Sequence, residues 1–221
     1  MAEPDDYDDV PDQLDPECAD VLHQILQAKD GEPNKFQSFW ENDEDDVNEF
    51  TQEEIENDPE KRILWAAENN KLAIVEETLQ SCPRLVHSHD TDGYTPLHRA
   101  SYNGHLDVAK CLYSHGADIL AKTVDGWQPL HSACRWNSTS VASFLLDNGA
   151  DINAQTNGGL TPLHLASSEQ DSRETLELLL MNPFIDPTIK TKVGETAKQI
   201  CQRTSSHHWL FEIVEDSVNK I

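Results

Sequence analysis

Three near-copies of one phrase constrain this chain more than any other feature of it. Asp92-Gly93-Tyr94-Thr95-Pro96-Leu97-His98-Arg99-Ala100 is followed by Asp125-Gly126-Trp127-Gln128-Pro129-Leu130-His131-Ser132-Ala133 and by Gly158-Gly159-Leu160-Thr161-Pro162-Leu163-His164-Leu165-Ala166, with the Pro-Leu-His triplets 33 residues apart each time. A fixed period of this length makes each period one supersecondary unit. Such a unit cannot bury its apolar face alone, so the stack of neighbours is what folds. The phrase reads as a turn running into a helix. Asp-Gly supplies the positive φ of a tight hairpin. Thr95 and Thr161 stand where a hydroxyl caps the first free amides of a helix, and the proline after each lacks an N–H that would be unpaired there anyway. Leu97, Leu130 and Leu163 enter the core, and Ala100, Ala133 and Ala166 are small enough for helices to approach closely. Gly104 marks the turn between two helices, and Gly116 and Gly149 sit where a second helix ends in a left-handed cap.

Thr-Pro-Leu-His-x-Ala at this period resembles the ankyrin repeat. The resemblance implies an all-α repeat fold: a solenoid of about five helix-turn-helix repeats with hairpin-turn tips, behind an acidic, largely disordered N-terminal segment. The expected boundaries are 1–57 for the tail and 58–221 for the repeat domain. Within the domain, 58–90 is a capping repeat, 91–123, 124–156 and 157–190 are regular repeats, and 191–221 is a closing cap. In the first cap Ile63-Leu64-Trp65-Ala66-Ala67 stands for Pro-Leu-His-x-Ala, and Trp65 is expected to cover the open end. The last regular repeat is long, 35 residues from Thr161 to Thr196, with Glu169-Gln170-Asp171-Ser172 as the site of an extra loop residue. In the closing cap Gly194-Glu195-Thr196-Ala197 echoes the phrase, and Trp209, Leu210, Phe211, Ile213 and Val214 form an apolar helix face.

Charge is concentrated in the tail. The chain carries a net charge of -25; residues 1–60 hold 22 acidic residues and two lysines, so they account for -20 of it. That balance argues against direct nucleic-acid binding, which needs cationic surface to displace counterions, and it suits a protein partner with a basic surface. Five cysteines without C-x-x-C spacing predict buried, reduced thiols and no zinc site. No secretory signal and no membrane span are expected. Within the tail, a short helix at 17–28 would place Leu22 and Ile25 in one apolar stripe with Cys18, Val21 and Leu26. It is read either as docking back on the repeats or as holding a partner. Phe36, Phe39 and Trp40, set among acidic residues, resemble a docking or activation segment, and they could equally anchor the tail on the first repeat. Ser38 and Thr51 each precede a glutamate by three residues, which suits an acidophilic kinase. For Thr51 and Glu54 a capping box is the favoured reading.

No catalytic constellation, cofactor motif or metal-ligand spacing is found. His98, His131 and His164 recur because the motif recurs, and a hydrogen bond to the threonine hydroxyl and nearby backbone is their expected role. The informative positions are those where the repeats disagree, along the concave face: Asp92, Tyr94, Tyr102, Asn103, Val124, Asp125, Trp127, Arg135, Trp136, Asn157, Leu160 and Ser168. Tyrosine, tryptophan and arginine dominate binding hot spots. Further stretches narrow the resemblance to one family of small ankyrin-repeat proteins: Val124–Cys134 with Trp136-Asn137, Val141–Leu146, Asp151–Thr156, Thr175–Asn182 and Phe211–Glu215. It covers residues 60–216, implies a nuclear protein linked to gene regulation and germ-cell development, and brings no binding residues with it. The expectation is a monomeric, non-enzymatic adaptor in nucleus and cytoplasm that binds a protein on the concave face. The alternative is an acidic escort for a basic nucleic-acid-binding client such as a ribosomal or chromatin protein.

Overall fold

The computed structural model describes residues 50–212. The expected helix at 17–28 with Leu22 and Ile25, the segment of Phe36, Ser38, Phe39 and Trp40, and Ile213 and Val214 lie outside the described residues. The helices are α1 Gln52–Asn57, α2 Pro59–Glu68, α3 Leu72–Ser81, α4 Pro96–Tyr102, α5 Leu106–Ser114, α6 Pro129–Arg135, α7 Thr139–Asp147, α8 Pro162–Ser167, α9 Arg173–Leu180 and α10 Ala197–Thr204. Short 3-10 turns follow α3 at Pro83–His87 and α10 at Ser206–His208, and residues 209–212 begin a further helical turn.

Two rows of helices form the stack. In the inner row α4 packs between α2 and α6, and α8 between α6 and α10; in the outer row α5 packs between α3 and α7, and α9 against α7. Leu97, Leu130 and Leu163 with Ala100, Ala133 and Ala166 are buried between the inner helices, and Val108, Leu112, Val141, Leu145, Leu176 and Leu179 bury the facing side of the outer ones. All belong to one continuous core running from Ile63 to Phe211. Because each repeat borrows its neighbour's apolar face, stability is shared between neighbours.

The first repeat differs from expectation in register. Asn70 takes a left-handed φ of 55°, the place of Gly104 at 72° and Asn137 at 53°. The Lys71 N–H donates to the Ala66 carbonyl, as His105 does to Ala100 and Ser138 to Ala133. Ile63 is therefore the counterpart of Leu97 rather than of Pro96, and Ala66, not Ala67, is the small inner residue. The substitute motif is displaced by one position because α2 starts early, on Asp58, whose carboxylate accepts from the Glu60 N–H at 2.9 Å with Pro59 at the first helical position. Trp65 is half-buried, packed both on the main core and on a small cluster of Phe50, Ile55 and Leu64. That cluster ties Phe50, which precedes α1, and Ile55 of α1 to Leu64 of α2, so the folded unit starts at Phe50, ahead of residue 58. Thr51 and Glu54 close the capping box across α1. The link between α8 and α9, residues 168–172, is longer than 103–105 and 136–138, as the 35-residue period requires.

Candidate binding face

The hairpins are built on one plan. The N–H of Asp90, Thr123, Thr156 and Thr191 donates to the carbonyl four residues on, and the side-chain oxygen of each accepts the N–H that returns. Neighbouring hairpins are stitched together: Val124 N–H donates to the Asp92 carbonyl at 2.8 Å, Asn157 to Asp125 at 2.9 Å and Lys192 to Gly158 at 3.0 Å. Glycine is required where the two backbones cross most closely, since Gly159 has φ 78° and an added Cβ would lie 2.9 Å from the Lys192 nitrogen.

The repeated histidines clamp each hairpin to the next. The Thr95 N–H donates to His98 Nδ1 at 3.2 Å, so the proton sits on Nε2, which donates to the Trp127 carbonyl at 3.0 Å. His131 bridges Gln128 and the Ala154 carbonyl, and His164 bridges Thr161 and the Glu195 carbonyl. Burial pushes His98 and His131 down to about 4, outweighing the backbone hydrogen bonds that favour the charged form, and burial lowers His164 as well. These are neutral structural imidazoles. In the last repeat Gln199 takes the same position and its Oε1 accepts the Thr196 N–H at 2.9 Å.

On this frame the variable residues fall into two groups. Tyr94 lies among the carboxylates of Asp125, Asp90 and Asp92, with Tyr102 nearby; burial first, then those charges, raise its phenol. Tyr102 packs on Trp136 with ring centroids 4.5 Å apart, and the two remain 41% and 49% exposed. Arg135 stands 5.4 Å over the Trp136 ring and pairs with Glu169 of the next repeat. The others are partly absorbed by the scaffold. Asn157 Nδ2 donates to the Val124 carbonyl at 2.8 Å, and Asn103 Nδ2 to Arg99 at 3.4 Å. The backbones of Asp92, Asp125 and Leu160 serve the hairpin bonds, and their side chains are exposed or, for Leu160, half-buried. Trp127 is half-buried with its ring 6.3 Å from His131.

Two features were not singled out from the sequence. Arg99 bonds to Glu68 at 2.6 Å and Asp90 at 2.8 Å, with Arg99 and Asp90 largely buried. Glu169 and Asp171, read only as part of a longer loop, line a groove of about 360 Å³ with Arg135 and Trp136. Only the arginine inside an otherwise apolar motif signalled the first. Cys134 is buried with its thiol pushed up by desolvation, whereas Cys111 is half-exposed beside His115 rather than buried. Among the described residues no cluster of His, Cys, Asp or Glu could hold a metal ion, and no helix is long and apolar enough to cross a membrane.

Comparison with known proteins agrees with this geometry. The ankyrin-repeat family model matches three times, over residues 37–123, 63–156 and 121–191. Ankyrin repeat domain-containing protein 49 of Bos taurus is 59% identical over 197 residues, 85% of this chain and 83% of that one. The Homo sapiens protein of that name is 56% identical over 85% of this chain and 82% of its own length. The Drosophila melanogaster one is 48% identical over 82% and 84%. Ankyrin repeats are a protein–protein interaction domain, and by identity and coverage this chain belongs to the family of ankyrin repeat domain-containing protein 49.

Proposed function

We propose that this chain is a non-enzymatic adaptor that holds a protein partner on the face shared by its hairpins and inner helices. The exposed Tyr102–Trp136 pair carries this reading: two large aromatics half open to solvent on the rigid inner row, beside the carboxylates around Tyr94. Solvent-exposed aromatics on a preorganised frame are typical binding anchors. The bordering carboxylates favour a partner with a basic surface. Affinity purification with the full chain tests it. Trp136→Ala together with Trp127→Ala should lose the main partner while the helical circular dichroism stays unchanged; retention of the partner by that variant overturns the reading.

A second reading is favoured by the tail charge of -20 over residues 1–60. Here the chain escorts a strongly basic client, such as a ribosomal or chromatin protein, and releases it in salt. Replacing the acidic residues of 1–49 by Asn and Gln separates the two: an escort loses its client, an adaptor keeps its partner. The adaptor reading takes the chain as a monomer in nucleus and cytoplasm; its nuclear part, and a role in gene regulation and spermatogenesis, rest on the resemblance noted from the sequence. Fractionation of expressing cells and light scattering test this, and exclusion from nuclei or a stable dimer removes it.

A further inference from the structure

The repeat unit is interrupted where the chain spends an extra residue, between α8 and α9. That segment is held firmly. Ser172 Oγ donates to the carbonyls of Ala166 at 2.5 Å and Glu169 at 3.0 Å. From the previous repeat Asn137, fixed at φ 53°, donates from Nδ2 to the Asp171 carbonyl at 2.8 Å and accepts from Thr175 Oγ1 at 2.6 Å. The longer loop thereby forms one wall of the 360 Å³ groove, with Glu169 and Asp171 on it, opposite the half-exposed indole of Trp136. Already in place is the arrangement a cation needs: Arg135 stands over Trp136 and pairs with Glu169. The intramolecular guanidinium accounts for one carboxylate, while Asp171 is exposed.

We infer that this groove is the receptor for one arginine side chain of the protein partner, seated on Trp136 and paired with Asp171. This rests on the adaptor reading and gives it a chemistry. Arginine suits the groove better than lysine because its planar guanidinium stacks on an indole while forking two hydrogen bonds to a carboxylate. Arg135 then acts as an internal competitor. It shields Trp136 in the free protein and leaves Glu169 to the incoming cation when displaced, so the site discriminates against peptides without a strong positive charge.

The test is a titration of full-length protein with acetyl-Gly-Arg-Gly-amide, followed by the indole N–H resonance of Trp136, which Trp136→Phe identifies. A matched peptide carrying citrulline, the neutral isostere, is the control. The arginine peptide should shift Trp136 saturably, the citrulline peptide should bind about tenfold more weakly, and about 0.5 M salt should weaken the arginine peptide severalfold. Asp171→Asn should weaken it about fivefold. Arg135→Gln should tighten it about threefold, a gain that a merely unfolded variant would not give. Equal shifts from both peptides, or a loss with Arg135→Gln, overturn the arginine receptor and leave the adaptor reading intact. If the arginine peptide moves other resonances and leaves Trp136 unmoved, the groove is not the receptor, whatever the partner capture by the Trp136→Ala variant shows.

Discussion

The histidine seam and the aromatic strip lie on the same inner row and obey opposite rules. Along the seam His98, His131 and His164 are interchangeable, each neutral, each making the same two bonds. Along the strip the equivalent positions change identity from one repeat to the next: Tyr102 becomes Arg135 and then Ser168, and Asn103 becomes Trp136 and then Glu169. Repetition marks what the stack needs in order to exist, and variation marks what it is free to present. The difference teaches that damage to the two should separate cleanly in experiment, stability falling with one and recognition with the other.

The sharpest way to break that comparison is at the core beneath both. Leu130→Ala removes a side chain buried without exposure between α4 and α8 and should lower the unfolding free energy by about 3–4 kcal/mol in urea titrations. Because its repeat supplies both neighbours, partner capture should go with it. Next comes the ion cluster under the first hairpin. Arg99→Met leaves Asp90, only 7% exposed, without its guanidinium, and should cost about 2–4 kcal/mol by the same assay.

The seam itself predicts a pH dependence with a definite sign. His98 and His131 titrate near 4 when folded, below the ordinary histidine range near 6.5, so the unfolded chain binds more protons between those limits. The stability they contribute is complete above about pH 6.5 and is lost as the pH falls through about 4. At pH 5.5 the loss should be about 1.4 kcal/mol for each histidine. His131→Gln sharpens this, since Gln199 already caps α10 in the same way. That variant should keep most of its stability at pH 7.5 while its slope between pH 5 and 7 flattens by the share of one histidine. An unchanged slope would show that the seam does not titrate as described. The smallest effect on stability belongs to the strip. Trp136→Ala should change unfolding by less than about 1 kcal/mol, because the ring is half in solvent, and yet weaken partner binding at least tenfold.

Much of this was legible in the chain. The 33-residue period located the three regular repeats, the Thr51–Glu54 pair located a helix start, and the 35-residue interval located the irregular loop. The first repeat slipped by one position because its turn phrase is missing; only the left-handed Asn70 restores the register, and backbone sign is not written in residue type when Asn stands in for Gly. The aromatic positions could be picked out because they deviate from a repeating motif. The acidic wall could not. Glu169 and Asp171 matter only through residues about 34 positions away, on the preceding repeat, and a longer loop says where the pattern fails without saying which side chains it brings across. Arg99 was missed for a related reason: its partners Glu68 and Asp90 belong to the preceding repeat and to its own hairpin, and no period links them.

Asn137 gives the groove a further property. Its two side-chain bonds reach from one repeat to the next, to the Asp171 carbonyl and Thr175 hydroxyl, so the wall and the floor of the groove are held by different repeats. In a linear array the terminal units open before the middle ones, with free energies well below that of global unfolding. The groove is thus formed only while the fourth repeat is docked on the third, and a bound ligand adds its binding energy to that one junction. Occupancy should appear in hydrogen exchange as slowed opening of α8 and α9, with the amides of α2 and α3 keeping their rates.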